Sequence, residues 1–265
     1  MANRLLDNIQ AGKPSLGLYI NSPDIVELCG HLGFDWFMID QMFSANDWGK
    51  TEELMRAGEA ASITPVVRVQ SNPWLGYDHR IVVDVSRALG IGAQFVLVSN
   101  SGLREIEECA EVSKDWHKKA MTIHPYASFS DWDAVRDSQN EQTYVIPQPE
   151  TQDALDAIED YMRLDQIRAV FIAMTDASRI LTGSHRPDFY DRRLWEYVDR
   201  AVELGQQHDV LIGANTSYAY SLEEIKNRAL KLREHGVGII MVQGAPFLFQ
   251  VAMTEFLEGL RPAFS

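Results

Sequence analysis

The sequence has only two cysteines, Cys29 and Cys109, and their wide separation fits neither a disulfide framework nor a metal-binding motif. It has no apolar run near the roughly 20 residues needed to cross a bilayer. Its first residues lack the apolar stretch that is typical of a signal peptide. We therefore expect two reduced cysteines in the core of a cytoplasmic protein.

Basic residues are scarce. The chain has 24 Lys and Arg against 38 Asp and Glu, which gives a formal net charge of −14. A nucleic-acid partner requires a basic surface that displaces phosphate counterions, and an anionic membrane requires one too. We expect neither partner. An anionic small-molecule substrate is still allowed, because one metal ion and one arginine can reverse the field locally.

No sequence feature indicates a boundary between domains. It contains no Gly/Ser-rich or Pro-rich linker, no low-complexity tract and no fixed-period repeat. A length of 265 residues fits one α/β barrel, since such barrels reach about 250 residues as one unit. The sequence therefore predicts a single domain over residues 1–265.

Short apolar runs alternate with longer segments of helical period, a pattern typical of β–α units. The runs are mostly continuous, as expected for parallel strands covered on both faces. The predicted strands are Leu16–Ile20, Trp36–Ile39, Pro65–Val69, Phe95–Val98, Tyr144–Gln148, Ala169–Ile172, Val210–Gly213 and Gly238–Val242. Eight units favour a (β/α)8 TIM barrel over the alternative, a doubly wound sheet. A ninth run, Ala120–Ile123, is either an edge strand or part of a loop.

Helical periodicity predicts five helices between these strands. They are Asp24–Leu32, Leu103–Lys114, Ala154–Met162, Leu194–His208 and Leu222–His235. Ser22 and Pro23 precede the first of them as an expected cap serine and first-turn proline.

Polar side chains follow several predicted strands, where barrel enzymes build their active sites. Glu150 follows strand five and Asp176 follows strand six, so both should face one cavity. Two hard oxygen ligands suit Mg²⁺ or Mn²⁺. In the alternative interpretation, each carboxylate caps the helix that follows it.

Arg68 lies inside the apolar run of strand three, where an unpaired charge is costly. Asp40, at the end of strand two, is its expected partner. The pair is either a structural closure of the barrel or a guanidinium that Asp40 aims at a substrate carboxylate or keto oxygen.

At these positions the chain resembles the HpcH/HpaI aldolase family, over about residues 5–257. The matched stretches are Gly33 to Asp40, Val66 to Val69, Gly92 to Val98, the set Gln148, Glu150 and Thr151, and the set Phe171, Ile172, Asp176 and Ser178. The resemblance implies a (β/α)8 barrel whose C-terminal helix is exchanged between subunits of a homo-oligomer, a trimer or hexamer. It also implies a divalent metal on Glu150 and Asp176 that binds a 2-keto acid, with Arg68 stabilising the enolate oxygen.

The chain departs from the family at several positions. The family's Glu-His pair after the strand-two aspartate, tied to proton transfer, is Met42 and Phe43 here. The Gly-Pro whose backbone amides help to hold the substrate is Ala173-Met174. Lys118–Pro125 stands in place of a Pro-x-Gly-x-Arg-Gly loop, and Gly90 in place of an aspartate. His79 and His124 are candidate replacements for the missing histidine.

The resemblance and the strand ends together predict a metal-dependent carbon–carbon lyase that forms a pyruvate- or oxaloacetate-type enolate. The catalytic candidates are Arg68 and Asp40, and the substrate-binding candidates are Tyr19, Phe43, Gln148, Ala173, Met174 and Thr175. The alternatives are a condensing, citrate-synthase-like enzyme, a protein that binds a keto acid and metal without turnover, and a lyase or hydrolase of a small acyl acid that resembles malyl-thioester enzymes.

Overall fold

The computed structural model describes residues 3–70, 78–114, 137 and 140–264. The predicted run Ala120–Ile123, the segment Lys118–Pro125 and the candidate His124 lie outside these ranges. Within them the elements are α1 (Arg4–Gln10), β1 (Ser15–Tyr19), α2 (Pro23–Leu32), β2 (Trp36–Asp40), α3 (Trp48–Ala60), β3 (Thr64–Gln70), α4 (Arg80–Gly90), β4 (Phe95–Ser99), α5 (Leu103–Ser113), β5 (Tyr144–Gln148), α6 (Gln152–Asp156), α7 (Ile158–Met162), β6 (Ala169–Ile172), α8 (Met174–Thr182), α9 (Arg192–His208), β7 (Leu211–Asn215), α10 (Leu222–Glu234), β8 (Ile239–Gly244) and α11 (Ala245–Leu260).

The eight strands are parallel and form one sheet in the order β5-β4-β3-β2-β1-β8-β7-β6. Because β1 pairs with β8, the first and last strands are neighbours and the sheet curls back on itself. β5 and β6 lie side by side at the remaining seam, which nearly closes the ring. The predicted TIM barrel is confirmed, and the doubly wound alternative is wrong.

Side-chain alternation divides the core into two layers, because successive residues of a strand face opposite sides of the sheet. In β2, Phe37 and Ile39 pack outward against the helices, whereas Trp36 and Met38 lie inside the barrel. Gly17 of β1 makes room for the indole, since a Cβ there would lie 2.2 Å from Trp36 Cδ2. The barrel is thus filled by side chains and is not a pore.

Helix α1 covers the amino-terminal end of the barrel. Its Leu5 and Leu6 pack into the inner layer, and the backbone N–H of Leu5 donates to Thr64 Oγ1 at the start of β3 (3.2 Å). The N-cap Asn3 accepts from Leu6 N through its side chain. With this end covered, the carboxyl ends of the strands are the open face on which a site can form.

Some local predictions are wrong. The helix predicted over Ala154–Met162 is two short helices, α6 and α7, which meet at Ala157. Ser22 precedes α2 with extended backbone, but its side chain makes no capping hydrogen bond. Helices α1, α3, α4, α8 and α11 were not predicted. No helix of the described residues is long and apolar enough to cross a membrane.

Candidate active site

The inner layer becomes polar at the carboxyl ends of the strands. Alternation carries the inner face of β2 from Trp36 and Met38 to Asp40, and that of β3 from Val66 to Arg68. In the same way β4 ends in Ser99 and β5 in Gln148, whose Oε1 accepts from Ser99 Oγ (2.6 Å). The predicted site residues on these strands therefore share one face because of strand periodicity alone.

Asp40 and Arg68 form a two-point ion pair across β2 and β3, whose register places them side by side. Arg68 Nε donates to Asp40 Oδ1 (3.0 Å) and Nη2 donates to Oδ2 (2.8 Å). The Arg68 side chain is 12% exposed and Asp40 is buried. Asp40 thus fixes the plane of the guanidinium, and Nη1 makes no hydrogen bond with the described residues.

The chain after β2 wraps around Asp40. The backbone N–H of Met42 donates to Oδ1 (2.8 Å), and that of Phe43 donates to Oδ2 (3.3 Å). Ser44 Oγ donates to the carbonyl oxygen of Asp40. The Phe43 ring is 77% exposed and stands over the guanidinium, with Arg68 Cζ 5.6 Å from the ring centroid. An apolar surface therefore borders the charged pair.

Glu150 and Asp176 lie on the two sides of the β5/β6 seam. Glu150 does not cap α6, because Thr151 is the N-cap and its side chain accepts from Ala154 N. Asp176 lies in the first turn of α8, whose N-cap is Ala173. The interpretation of both carboxylates as N-caps is therefore wrong.

The environment of these two carboxylates disfavours their negative charge. Burial, and then the charge of Asp176, raise the pKa of Glu150 to about 7. Burial also raises the pKa of Asp176, against the lowering effect of Arg179 and Arg68. Glu150 Oε2 is buried and has no hydrogen-bond partner among the described residues. A buried acceptor without a partner and two adjacent acids fit a divalent cation, which would neutralise both.

Few of the described side chains at this site could act as ligands of a metal ion. In the described ranges, no group of three or more His, Cys, Asp or Glu side chains is arranged to hold a metal ion. Arg179, which the sequence analysis did not single out, approaches Asp176 at 3.8 Å. A cation held by Glu150 and Asp176 would keep open positions for water and substrate.

The first turn of α8 faces the same end of the barrel. The side chains of Ala173 and Met174 are buried, so only their backbone groups can contact a ligand. Thr175 Oγ1 shares a hydrogen bond with Ser217 Oγ (2.8 Å), and the Ser217 carbonyl accepts from Gln243 Nε2. Ser217 has a left-handed backbone (φ 52°), which no sequence signal indicated.

His79, a candidate replacement for the missing histidine, lies away from these groups. Its ring is exposed just before α4, and Nδ1 is 3.4 Å from Glu108 Oε2 on α5. Its ring is thus directed towards Glu108 on α5. Tyr19 lies half-buried at the end of β1, with Asp40 and Arg68 close enough for their charges to act on its hydroxyl.

Comparison with known proteins identifies the family. The family model described as HpcH/HpaI aldolase/citrate lyase matches residues 16–238. The hydroxypyruvate/pyruvate aldolase of Agrobacterium fabrum is 25% identical over 184 residues, 66% of this chain and 65% of the relative. The 4-hydroxy-2-oxo-heptane-1,7-dioate aldolase of Klebsiella pneumoniae is 26% identical over 88% of this chain and 85% of its own. The chain thus spans slightly less than two thirds of the first of these relatives.

Solved structures show the same fold. A HpcH/HpaI aldolase/citrate lyase family protein from Burkholderia cenocepacia superposes with a TM-score of 0.77 at 22% identity, over 98% of this chain and 99% of its own. The citrate synthase SbnG superposes with a TM-score of 0.76 at 20% identity, over 97% of each chain.

Proposed function

Because the chain belongs to the HpcH/HpaI aldolase/citrate lyase family, we propose that it is a divalent-metal-dependent carbon–carbon lyase acting on a 2-keto acid through a pyruvate- or oxaloacetate-type enolate. The observation that carries the proposal is Glu150 Oε2, a buried carboxylate oxygen without a partner, beside Asp176 at the β5/β6 seam. The aldolase names of the relatives at 25–26% identity support this reaction class. We also propose that residues 1–265 form one catalytic domain, and that it works in the cytoplasm.

Glu150 and Asp176 would hold Mg²⁺ or Mn²⁺. When bound, the metal would act as a Lewis acid on the keto oxygen and carboxylate of the substrate. Arg68 would donate from Nη1 to the oxygen on which negative charge develops, because its other two nitrogens are held by Asp40. Asp40 therefore acts by orientation, keeping the guanidinium in one plane.

Backbone and amide groups would complete substrate binding. The unpaired N–H groups of the first turn of α8, at Met174 and Thr175, suit a carboxylate. Gln148 presents its amide nitrogen, since its oxygen accepts from Ser99. Tyr19 and Phe43 would form the walls of the opening.

The second substrate is best matched by an apolar aldehyde. Phe43 offers an exposed ring where the resemblance led us to expect a histidine, and Met42 replaces an acid. A charged or strongly hydrated acceptor would lose water against this surface without gaining a hydrogen bond. We therefore propose an aliphatic or aromatic aldehyde as the acceptor in condensation and as the product of cleavage.

The C-terminal helix α11 supports a homo-oligomer, either a trimer or a hexamer. Only Val251 is buried in it, and five of its large apolar side chains are exposed. The exposed set is Phe249, Met253, Phe256, Leu257 and Leu260. Such a continuous apolar surface is unusual on a monomer. We propose that it packs against another subunit, which native mass spectrometry tests directly.

Deuterium exchange tests the proposed reaction. The protein is incubated with pyruvate and Mg²⁺ in D₂O, and the methyl resonance is followed by NMR after quenching. We expect exchange that needs the metal and is lost in Glu150→Ala. Metal binding without exchange, and without turnover of oxaloacetate or a panel of aldehydes, would contradict the lyase and favour a keto-acid-binding protein without turnover.

A condensing activity is the second candidate. The observation that favours it is the loss of the proton-transfer histidine at position 43, together with the full-length likeness to the citrate synthase SbnG. Product analysis with oxaloacetate and an acyl donor separates the two reactions.

A further inference from the structure

Building on the proposed lyase function, we propose that the Tyr19 hydroxyl is the proton-transfer group of this site, serving C3 of the enolate. Position 43 holds phenylalanine, which cannot move a proton. The five histidines in the described ranges lie on helices or loops outside the barrel: His31, His79, His185, His208 and His235. Among the described residues, we therefore look for the proton-transfer group at the ends of the strands.

An irregularity in the sheet sets the position of Tyr19. Gly17 of β1 is opposite Met241 of β8, but Tyr19 is opposite Gly244, so two steps along β1 match three along β8. Bulges of this kind redirect a side chain and occur often beside active sites. The extra residue lies on β8, so the bulge displaces the end of β8 and brings Gly244 opposite Tyr19.

Gly244 leaves the space that the phenol ring occupies. A Cβ at this position would lie 2.8 Å from Tyr19 Cδ1, closer than real Cβ atoms approach. The ring therefore lies across the end of β8, at the mouth of the barrel, and is only half-buried. This places the hydroxyl at the end of the barrel that carries Arg68.

The groups around the phenol oxygen suit a proton donor. Burial, and then the charge of Asp40, raise the pKa of Tyr19, so the hydroxyl keeps its proton at neutral pH. The Ser44 side chain, then the positive charge of Arg68 and the Asn21 side chain, act in the opposite direction and lower the pKa of Tyr19. These three groups favour the phenolate and would stabilise it after the proton has left.

The step is a simple proton transfer. The O–H bond of Tyr19 breaks and the proton bonds to C3 of the enolate, using the electron pair of the C2=C3 bond, while the C2 carbonyl re-forms. The phenolate takes a proton from water. In the reverse direction the phenolate removes a methyl proton of pyruvate, which exchanges deuterium into the methyl group.

Tyr19→Phe tests the inference, since it removes the hydroxyl and keeps the ring. We expect pyruvate methyl exchange to fall about 10²- to 10⁴-fold, the usual contribution of general acid–base catalysis. The Mn²⁺ affinity, followed by electron paramagnetic resonance, and the melting temperature should stay at wild-type values. Metal-dependent consumption of oxaloacetate should also persist, because decarboxylation forms the enolate by breaking a C–C bond and removes no proton from C3.

Two further variants provide controls. Gly244→Ala keeps the hydroxyl but displaces the ring, so we expect exchange to fall while metal binding is kept. Tyr220→Phe removes a phenol hydroxyl from an exposed position after β7 and should leave exchange unchanged.

The outcomes separate the two proposals. If Tyr19→Phe exchanges the methyl protons of pyruvate as fast as the wild type does, the role of Tyr19 is overturned. The proposed lyase function is then unaffected. A metal-loaded wild type that exchanges no deuterium overturns the role of Tyr19. If it also turns over neither oxaloacetate nor any aldehyde of the panel, the proposed function is overturned with it. Loss of oxaloacetate consumption together with exchange in Tyr19→Phe shows a structural role and also overturns the inference.

Discussion

Replacing Glu150 by glutamine should make the stability of the metal-free protein less sensitive to a rise in pH from about 5.5 to 8.5. The pKa of Glu150 is raised to about 7 by burial and by Asp176. An acid whose folded-state pKa lies above its unfolded value stabilises the fold fully below the unfolded pKa. This contribution is lost as the pH rises through the folded pKa. Glutamine cannot ionise and removes the effect.

The magnitude follows from the two pKa values. With about 4.5 unfolded and about 7 folded, ionisation of Glu150 costs the metal-free fold about 2 kcal/mol between about pH 5.5 and 8.5. For a chain of this size, each kcal/mol corresponds to roughly 2 to 4 °C in melting temperature. Over this pH interval, the melting temperature of the wild type should thus fall by roughly 4 to 8 °C more than that of Glu150→Gln.

Differential scanning calorimetry in chelator, at several pH values, measures this difference. Asp153→Asn, which changes an exposed carboxylate on α6, is the matched control and should follow the wild type. Adding Mn²⁺ should reverse the order at alkaline pH, because saturation at about 100 times Kd stabilises the wild type by about 2.7 kcal/mol and the variant much less. If the melting temperatures of wild type and Glu150→Gln change in parallel with pH, Glu150 is not a buried carboxylate whose ionisation destabilises the metal-free fold.

Three further substitutions probe the structure. Asp40→Asn leaves the Arg68 guanidinium without its counter-charge and should lower the free energy of unfolding by about 3 to 5 kcal/mol, measured in urea. A change near zero would show that the pair is unimportant for stability. Gly17→Ala forces a Cβ against Trp36 and should cost about 1 to 3 kcal/mol in the same assay, with wild-type stability contradicting the packing. Phe43→His should shift preference from apolar towards hydrophilic aldehydes, seen in kcat/KM across a panel; an unchanged ratio would show that Phe43 does not select the acceptor.

Strand periodicity made much of the fold predictable from the sequence. The bounds predicted for Tyr144–Gln148 and Ala169–Ile172 match the structure residue for residue, because both strands are buried and, apart from the terminal Gln148, apolar. Helix α3 (Trp48–Ala60) was missed because Thr51 and Gly58 are among the residues on its buried face. The break at Ala157 was also missed, since nothing in the sequence interrupts the helical period there.

The candidate site was predictable where it depends on strands and unpredictable where it depends on loops. The Asp40–Arg68 pair follows from two adjacent apolar runs in register. The contact between Thr175 and Ser217 depends on a left-handed serine, and the pairing of Tyr19 with Gly244 depends on a bulge in β8. Both arise from how segments distant in sequence meet, which periodicity along one segment does not encode.

The loop after β2 explains how the charged pair can persist while the neighbouring side chains change. Asp40 is held by the backbone N–H groups of Met42 and Phe43, which every residue except proline supplies. Their side chains are not needed to orient Asp40, and hence are not needed to orient Arg68. Substitution at positions 42 and 43 can therefore alter the acceptor and the proton-transfer group without disturbing the guanidinium. If so, restoring Glu-His at these positions should change specificity and leave the geometry of the pair as it is.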